Sequence, residues 1–428
     1  MITRWVLVAA LVLASTAPVR AEDPPPPGLT TETWHHEPRL DLHWQLLTLP
    51  ERAIELVFVP FGLAVAAVER HRIDRRVGRL LSFWEGRLKL SPRMKISFGD
   101  GLGVGLKLKY KQPFDTRTQA SLGFVVRVNR DFLVDSELQQ PIGSLDDRSL
   151  HVNAFVERDQ NERFYRLGGG SSSMRRVMTN NLQVLTAGLD LQPVDWYDYS
   201  GLFEVGAVRQ TLGPGLELGE IPLGEPDDSF APPPGFGTST VYAHANISGS
   251  YDTRDTLGRP SRGLHAELRA ALYTDVAGGL AGANLRAAGA WFLPVLPEAR
   301  VLVLNVGASA AVPLFGETIP LVALSQLGRE HHLRGYDRAR FRDRYAVWAG
   351  AEYRFPIYEY LTTGVGLDTF VFLEGASVFG ATPPSRETFA YSAGGGLRIA
   401  AETKLVSQLT FGWSPEGIEI FIGSEVKL

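Results

Sequence analysis

The amino-acid sequence predicts an all-β protein, a sixteen-stranded antiparallel transmembrane β-barrel. Apolar and polar residues alternate from about Arg93 to Leu428, as they do in strands with one apolar and one polar face. Many of these segments reach the length of about ten residues that a tilted strand needs to cross a bilayer. The composition, with 44 glycines, 10% aromatic residues and no cysteine in 428 residues, is typical of an exported β-rich protein.

The alternating segments can be counted along the chain. Those predicted as strands are residues 93–99, 101–112, 118–132, 149–158, 162–169, 181–192, 199–210, 239–254, 262–274, 281–294, 299–312, 345–357, 364–379, 388–401, 404–414 and 416–428. An even number is expected of a single-chain bacterial barrel. A soluble β-sandwich also alternates, but the segment lengths and the charges repeated along the polar face favour a barrel with a water-filled interior.

The first 92 residues are predicted to precede the barrel. Residues 1–21 combine an early arginine, a short apolar core and a small-residue cleavage site, which indicates a signal peptide. Residues 22–92 begin with a run of prolines and continue into a broken amphipathic helix, so we expect a short proline-rich and helical periplasmic extension. Its apolar side is expected to lie either on the membrane leaflet or against the rim of the barrel. The barrel itself is expected over residues 93–428.

One connection differs from the others in its charge. An even number of strands leaves both ends of the barrel on the periplasmic side, so short periplasmic turns alternate with longer extracellular loops. This order makes residues 313–344 the sixth extracellular loop, and six arginines lie between Arg329 and Arg344. The net charge of −4 for the whole chain argues against a nucleic-acid partner. Period and charge alone leave open whether this stretch is a solvated basic loop or a charged plug.

Four separated stretches resemble a known family. They are YDTRDTLGRPSRG (251–263), LRGY (333–336), AEYRFPI (351–357) and FLEGASVF (372–379). On these motifs the chain resembles the BamA/TamA-type bacterial surface-antigen superfamily of outer-membrane barrels. The matching residues are Asp252, Arg254, Asp255, Pro260 and Gly263 in the strand–turn–strand motif, and Arg334, Gly335 and Tyr336 in the loop motif.

The resemblance implies that the sixth loop folds back into the lumen, where its arginine pairs with acids on the barrel wall. Counting by two places Glu352 and Glu374 on the lumen faces of their strands. Arg334 is therefore the expected partner of both acids, because a guanidinium fork suits two carboxylates better than a lysine does.

The sequence departs from the family pattern at three places. The wall acid is Glu374 where the family usually has aspartate, and the chain ends in Leu428 where such barrels commonly end in an aromatic residue. Gly423, Val426 and Leu428 still match the remaining C-terminal assembly signal. Residues 22–92 do not show the pattern of the periplasmic POTRA modules that the family normally carries, so a member without POTRA domains is expected.

The resemblance implies a protein of the Gram-negative outer membrane that moves or inserts polypeptide, or lipid, at that membrane. It implies outer-membrane lipid and the barrel-assembly machinery as partners, and the missing modules point to a separate periplasmic partner protein. No cofactor is implied, and the sequence carries no catalytic motif or metal-ligand spacing, so an enzyme is not expected. Two alternatives remain: a gated or passive pore, and a structural barrel that serves the periplasmic partner.

Overall fold

The computed structural model describes most of the chain between Ser82 and Gly423. The residues outside the description are 1–81, 85–86, 98–100, 114–115, 128–130, 144–147, 169–174, 192–197, 217–220, 225–230, 278, 297–299, 316–317, 330–331, 361–364, 381–388, 402–403 and 424–428. The predicted signal peptide and most of the predicted extension therefore lie outside the described residues, as do Val426 and Leu428.

The described residues form one large antiparallel sheet. Its strands are β1 (Ser82–Phe83), β2 (Leu88–Ser97), β3 (Gly101–Lys111), β4 (Gln119–Arg127), β5 (Phe132–Pro141), β6 (Arg148–Phe164), β7 (Arg176–Leu191), β8 (Tyr199–Pro214), β9 (Ser239–Asp252), β10 (Gly263–Asp275), β11 (Ala281–Leu296), β12 (Arg300–Phe315), β15 (Tyr345–Tyr360), β16 (Val365–Phe379), β17 (Phe389–Ala401), β18 (Lys404–Ser414) and β19 (Gly417–Gly423). A separate hairpin, β13 (Ser325–Leu327) and β14 (Phe341–Asp343), lies between β12 and β15. Apart from the two-residue β1, the large sheet has sixteen strands, so the predicted all-β fold and strand number are confirmed.

Each long strand pairs antiparallel with the next one along the chain. The pairing of β10 with β11, for example, runs from Gly263 to Thr274 without interruption. The last strand, β19, meets β2 where Phe421 lies opposite Ser97 and Ile422 lies opposite Ile96. This junction of the last and first long strands is called the seam below.

Two strand assignments from the sequence are wrong, and they cancel in the count. The predicted strand 118–132 is the separate β4, and a strand that the prediction missed, β5, follows it. The predicted strands 149–158 and 162–169 are one strand, β6, of 17 residues. The gap between the two predicted strands is a bulge within β6, because the pairing of β6 with β7 shifts register between Asp159 and Glu162. In addition, β2 begins at Leu88, inside the segment assigned to the extension.

The two faces of the sheet differ in chemistry. Outward side chains such as Leu185, Ile247 and Leu268 are large, apolar and 57%, 59% and 67% exposed. Inward side chains such as His151 and Asn246 are polar and buried. An apolar outer band around a polar interior is the pattern of an outer-membrane barrel, where hydrocarbon covers the band. Within the described part of the chain, no helix is long and apolar enough to cross a membrane.

The connection between β12 and β15, called loop 6 below, covers one end of the barrel. Leu321 and Ala323, in a short 3-10 helix of loop 6 (Leu321–Ala323), pack against Phe164, Met178 and Leu223. The rest of loop 6 turns into the barrel, and its hairpin β13–β14 packs beside β15 and β16. We call this end of the barrel the loop end, and the opposite end, where β2 begins and β3 ends, the turn end.

Candidate functional site

The tip of loop 6 places a buried arginine between two strands of the wall. Arg334 donates from Nε to Oε1 of Glu374 over 2.8 Å and from Nη1 to Oε2 of Glu352 over 2.5 Å. Its backbone N–H donates to Oε2 of Glu374 over 2.9 Å. All three residues are buried. We call Arg334, Glu352 and Glu374 the arginine clamp.

The register of the wall strands sets the position of the two acids. Glu352 lies on β15 and Glu374 on β16, which pair so that Glu374 is opposite Gly350. Each carboxylate has a second donor: Arg354 donates to Glu352 over 2.5 Å, and the hydroxyl of Ser392 donates to Glu374 over 3.1 Å. Buried carboxylates need several donors to offset the loss of water, and here the donors come from loop 6 and from the two strands β15 and β17.

The guanidinium of Arg334 also lies on an aromatic face. Its carbon is 3.7 Å from the ring centre of Phe372 and 5.5 Å from that of Phe370, within the range of cation–π attraction. Burial alone lowers the pKa of Arg334, but the charges of Glu374 and Glu352 outweigh burial and raise the pKa above its usual value. The guanidinium of Arg334 therefore stays protonated between the two acids.

The two residues after Arg334 fix the backbone of the tip. A Cβ atom on Gly335 would lie 2.4 Å from the backbone oxygen of Trp413, and a Cβ atom on Gly412 would lie 2.3 Å from the backbone oxygen of Arg334. The tip thus lies directly on β18, and only residues without a side chain allow that approach. Tyr336 is buried and meets Phe341 edge to face, with ring centres 5.0 Å apart.

A second set of ion pairs ties loop 6 to both sides of the barrel, and the sequence analysis did not predict it. Arg338 donates to Glu157 of β6 over 3.1 Å and 3.3 Å, and Arg342 donates to Glu162 on the same strand. On the other side, Arg340 donates through Nε and Nη2 to Glu416 over 2.7–3.1 Å. Loop 6 therefore spans the lumen from β6 to the turn between β18 and β19.

Asp337 forms a further contact between loop 6 and the first half of the barrel. Arg163 donates to both of its carboxylate oxygens over 2.8 Å, and the hydroxyl of Tyr165 donates to it as well. Burial raises the pKa of Tyr165 far above its usual value, and the charge of Asp337 raises it further. Tyr165 is therefore neutral and remains a donor at any physiological pH.

The strand–turn motif lies at the turn end, far from the clamp in sequence. Asp252 accepts from Arg254 over 2.5 Å and 2.7 Å, whereas Asp255 accepts from the backbone of Ser261 over 2.9 Å. Pro260 is buried, and Gly263 has a φ of 113°, a backbone conformation that favours glycine. The motif residues therefore close a tight turn and do not form one site with the clamp.

The sequence analysis missed Arg259, which lies in the same turn and donates to Asp368 of β16 over 2.6 Å and 3.0 Å. Of the predicted C-terminal assembly signal, Gly423 is the last residue of β19, and Val426 and Leu428 lie outside the described residues.

The fold and the loop together define a class of protein: an outer-membrane-type β-barrel whose largest loop lies inside its lumen. The chain belongs to the Omp85 superfamily, since the model of the Omp85 superfamily domain matches residues 93–406. The predicted family is thereby confirmed.

Solved structures show the same fold. BamA from Haemophilus ducreyi, solved without POTRA domains 1–3, is similar with a TM-score of 0.58 and 13% identity, over 79% of this chain and 70% of that chain. CdiB from Escherichia coli is similar with a TM-score of 0.54 and 11% identity, over 80% of this chain and 62% of that chain. The chain thus spans less than two thirds of the CdiB chain. No curated protein matches the sequence.

Proposed function

We propose that this protein inserts or translocates polypeptide at the outer membrane of a Gram-negative bacterium, with loop 6 holding the barrel wall beside the seam. Lipid is the alternative cargo. Membership of the Omp85 superfamily and the fold shared with BamA and CdiB support this role. The single observation that carries it is the arginine clamp, which joins loop 6 to the strands that precede the seam.

The clamp divides the barrel into a braced part and a seam. Loop 6 contacts β15, β16 and β18 through Arg334, Gly335 and their partners, and it reaches the β18–β19 turn through Arg340. Within the described residues, β19 and β2 pair at two positions. A sheet braced on one side opens most readily at a junction with few paired backbone groups, because each broken pair exposes polar groups to the lipid. Separation of β19 from β2 is therefore the step that we propose for cargo passage.

The N-terminal extension enters the proposal as a tether. Residues 1–21 are proposed as a signal peptide, residues 22–92 as a periplasmic extension and residues 93–428 as the barrel, with the first strand extended back to Leu88. We propose that a separate periplasmic protein handles the cargo, and that Gly423, Val426 and Leu428 serve recognition by the barrel-assembly machinery.

A gated pore is the second candidate, and the polar interior favours it. Inward side chains from many strands are polar, as in a water-filled channel. The position of loop 6 argues against a passive pore. The loop lies across the lumen, from Glu157 and Glu162 on one side to Glu416 on the other. The two functions differ in what passes: small solutes pass through the lumen, whereas inserted polypeptide leaves through the seam.

Photo-crosslinking from the seam tests the proposed function. A photo-reactive amino acid at Ile422 of β19 should crosslink newly made outer-membrane or exported polypeptides in living cells. The same amino acid at Leu268, on the outer face of β10, is the matched control, because it meets lipid but lies far from the seam. Equal crosslinking at both positions, or small-solute conductance without polypeptide crosslinks at Ile422, would reject insertion and favour the pore.

A further inference from the structure

The lumen face of β2 and β3 carries a row of cations. Lys107, Lys109 and Lys111 occupy alternate positions of β3, and Leu106, the residue before Lys107, points outward and is exposed. Lys89 of β2 lies directly opposite Lys109. We call these four lysines the lysine stripe, and it reaches the turn end of the barrel, where β2 begins and β3 ends.

Among the described residues, three of the four lysines of the lysine stripe have no carboxylate partner, and Lys107 shares Asp135 with Arg93. Like charges placed directly opposite each other in a ladder destabilise a sheet, and Lys89 and Lys109 are such a pair. Asp135 of β5 is 3.9 Å from Lys107 but already pairs with Arg93. Among the residues that the structure describes, no carboxylate forms an ion pair with Lys89, Lys109 or Lys111.

Several other cations of the barrel interior have acidic partners. Arg127 pairs with Glu157, and Arg259 pairs with Asp368. Arg334 has two carboxylates. A wall that concentrates uncompensated positive charge on two adjacent strands attracts anions by focusing the electrostatic field inside a low-dielectric shell.

We propose that the lysine stripe binds an extended acidic segment of polypeptide that enters the barrel from the turn end. The lysines of β3 repeat at the two-residue period of a strand, about 7 Å, and carboxylates on alternate residues of an extended chain repeat at the same distance. The stripe faces the lumen, while Leu102, Val104 and Leu106 of the same strand face outward, so a lipid headgroup in the membrane does not reach it. The inference rests on the proposed function and names its substrate class: polypeptides with an acidic extended stretch.

Peptide binding to the purified full-length protein tests the stripe. The probe is a fluorescent twelve-residue peptide of alternating glutamate and serine, and fluorescence anisotropy at low salt measures its affinity. Lys109→Gln combined with Lys111→Gln should weaken binding about tenfold, or about 1.4 kcal/mol, since each exposed ion pair contributes only modestly. Arg269→Gln is the control, because it removes one cation from β10, seven strands away from β3 in the sheet, and should leave the affinity unchanged.

A charge reversal keeps the test independent of folding defects. The variant with Lys109→Glu and Lys111→Glu should no longer bind the acidic peptide. It should instead bind a peptide of alternating lysine and serine. Unchanged affinity for the acidic peptide in either double variant would overturn the proposed peptide binding. Lysine-dependent binding of anionic-lipid vesicles that exceeds binding of the peptide would overturn it as well. Failure here with normal crosslinking at Ile422 rejects the stripe alone. Lysine-dependent peptide binding without crosslinking at Ile422 rejects the proposed function alone.

Discussion

Arg334 is the residue on which the position of loop 6 depends. Removing one member of a buried ion pair typically costs about 3–5 kcal/mol, and water in the lumen reduces that cost here. Arg334→Ala should therefore release the loop tip, increase its cleavage by added protease and raise or destabilise the conductance in planar bilayers. Arg334→Lys should resemble the alanine variant, because an ammonium cannot bridge Glu352 and Glu374 as a fork does.

Arg338 provides the control within the same loop. Its side chain is 32% exposed where it pairs with Glu157, so its loss should cost at most about 1 kcal/mol. If Arg338→Ala and Arg334→Ala change protease sensitivity equally, the clamp has no special role in holding the loop.

Gly335 tests whether the tip must touch β18. Because the added methyl group of Gly335→Ala would lie 2.4 Å from a backbone oxygen, the tip has to move, and we expect a lower unfolding temperature and a more protease-sensitive loop. Gly249→Ala is the control, since its Cβ would be 3.8 Å from the nearest atom, in ordinary contact. Identical stability of the two variants would mean that the tip yields without cost.

The sequence predicted the clamp but not the other partners of loop 6. The family resemblance implied that the loop arginine meets acids of the wall, the two-residue period placed Glu352 and Glu374 on the lumen face, and the loop motif named Arg334. Glu157, Glu162 and Glu416 were not found, because they are 181, 180 and 76 residues from the arginines that they meet. The path of a loop through a lumen has no period from which such distant contacts follow.

At the scale of the elements, the β18–β19 hairpin is held by an ion pair outside the sheet. Arg340 is buried, lies with its guanidinium carbon 4.3 Å from the ring centre of Tyr165 and binds Glu416 in the hairpin turn. Glu416→Gln should free the hairpin and increase amide hydrogen exchange over Gly417–Gly423. Exchange over β10 should stay at its original level. Unchanged exchange in β19 would show that backbone pairing alone holds the last strand.

Strand prediction succeeded where the two faces differ and failed where they do not. The predicted strand 364–379 agrees with β16 within one residue. In β5 the inward face includes both Leu133 and Asp135, and the outward face includes both Val134 and Ser136, so alternation between polar and apolar residues is weak. The bulge in β6 has a similar effect, because an extra residue shifts the period and makes one strand look like two.

At the scale of the whole molecule, loop 6 braces a sheet that we propose opens at the seam. The clamp, the Arg340–Glu416 pair and the contact of Gly335 with β18 all act on the strands that precede the seam. The contacts to Glu157 and Glu162 anchor the loop on β6, so loop 6 can hold the last strands in place while β2 stays free to separate from β19.

A disulfide across the seam tests this account most directly. The chain has no cysteine, so Ser97→Cys with Phe421→Cys adds a single pair at positions that lie opposite each other. Ser250→Cys with Glu267→Cys, a pair of opposite positions on β9 and β10, is the matched control. In cells that depend on the variant, oxidation of the seam pair should block insertion or translocation of polypeptide, and reduction should restore it, while the control pair has no effect. Full activity with the seam disulfide formed would contradict the account.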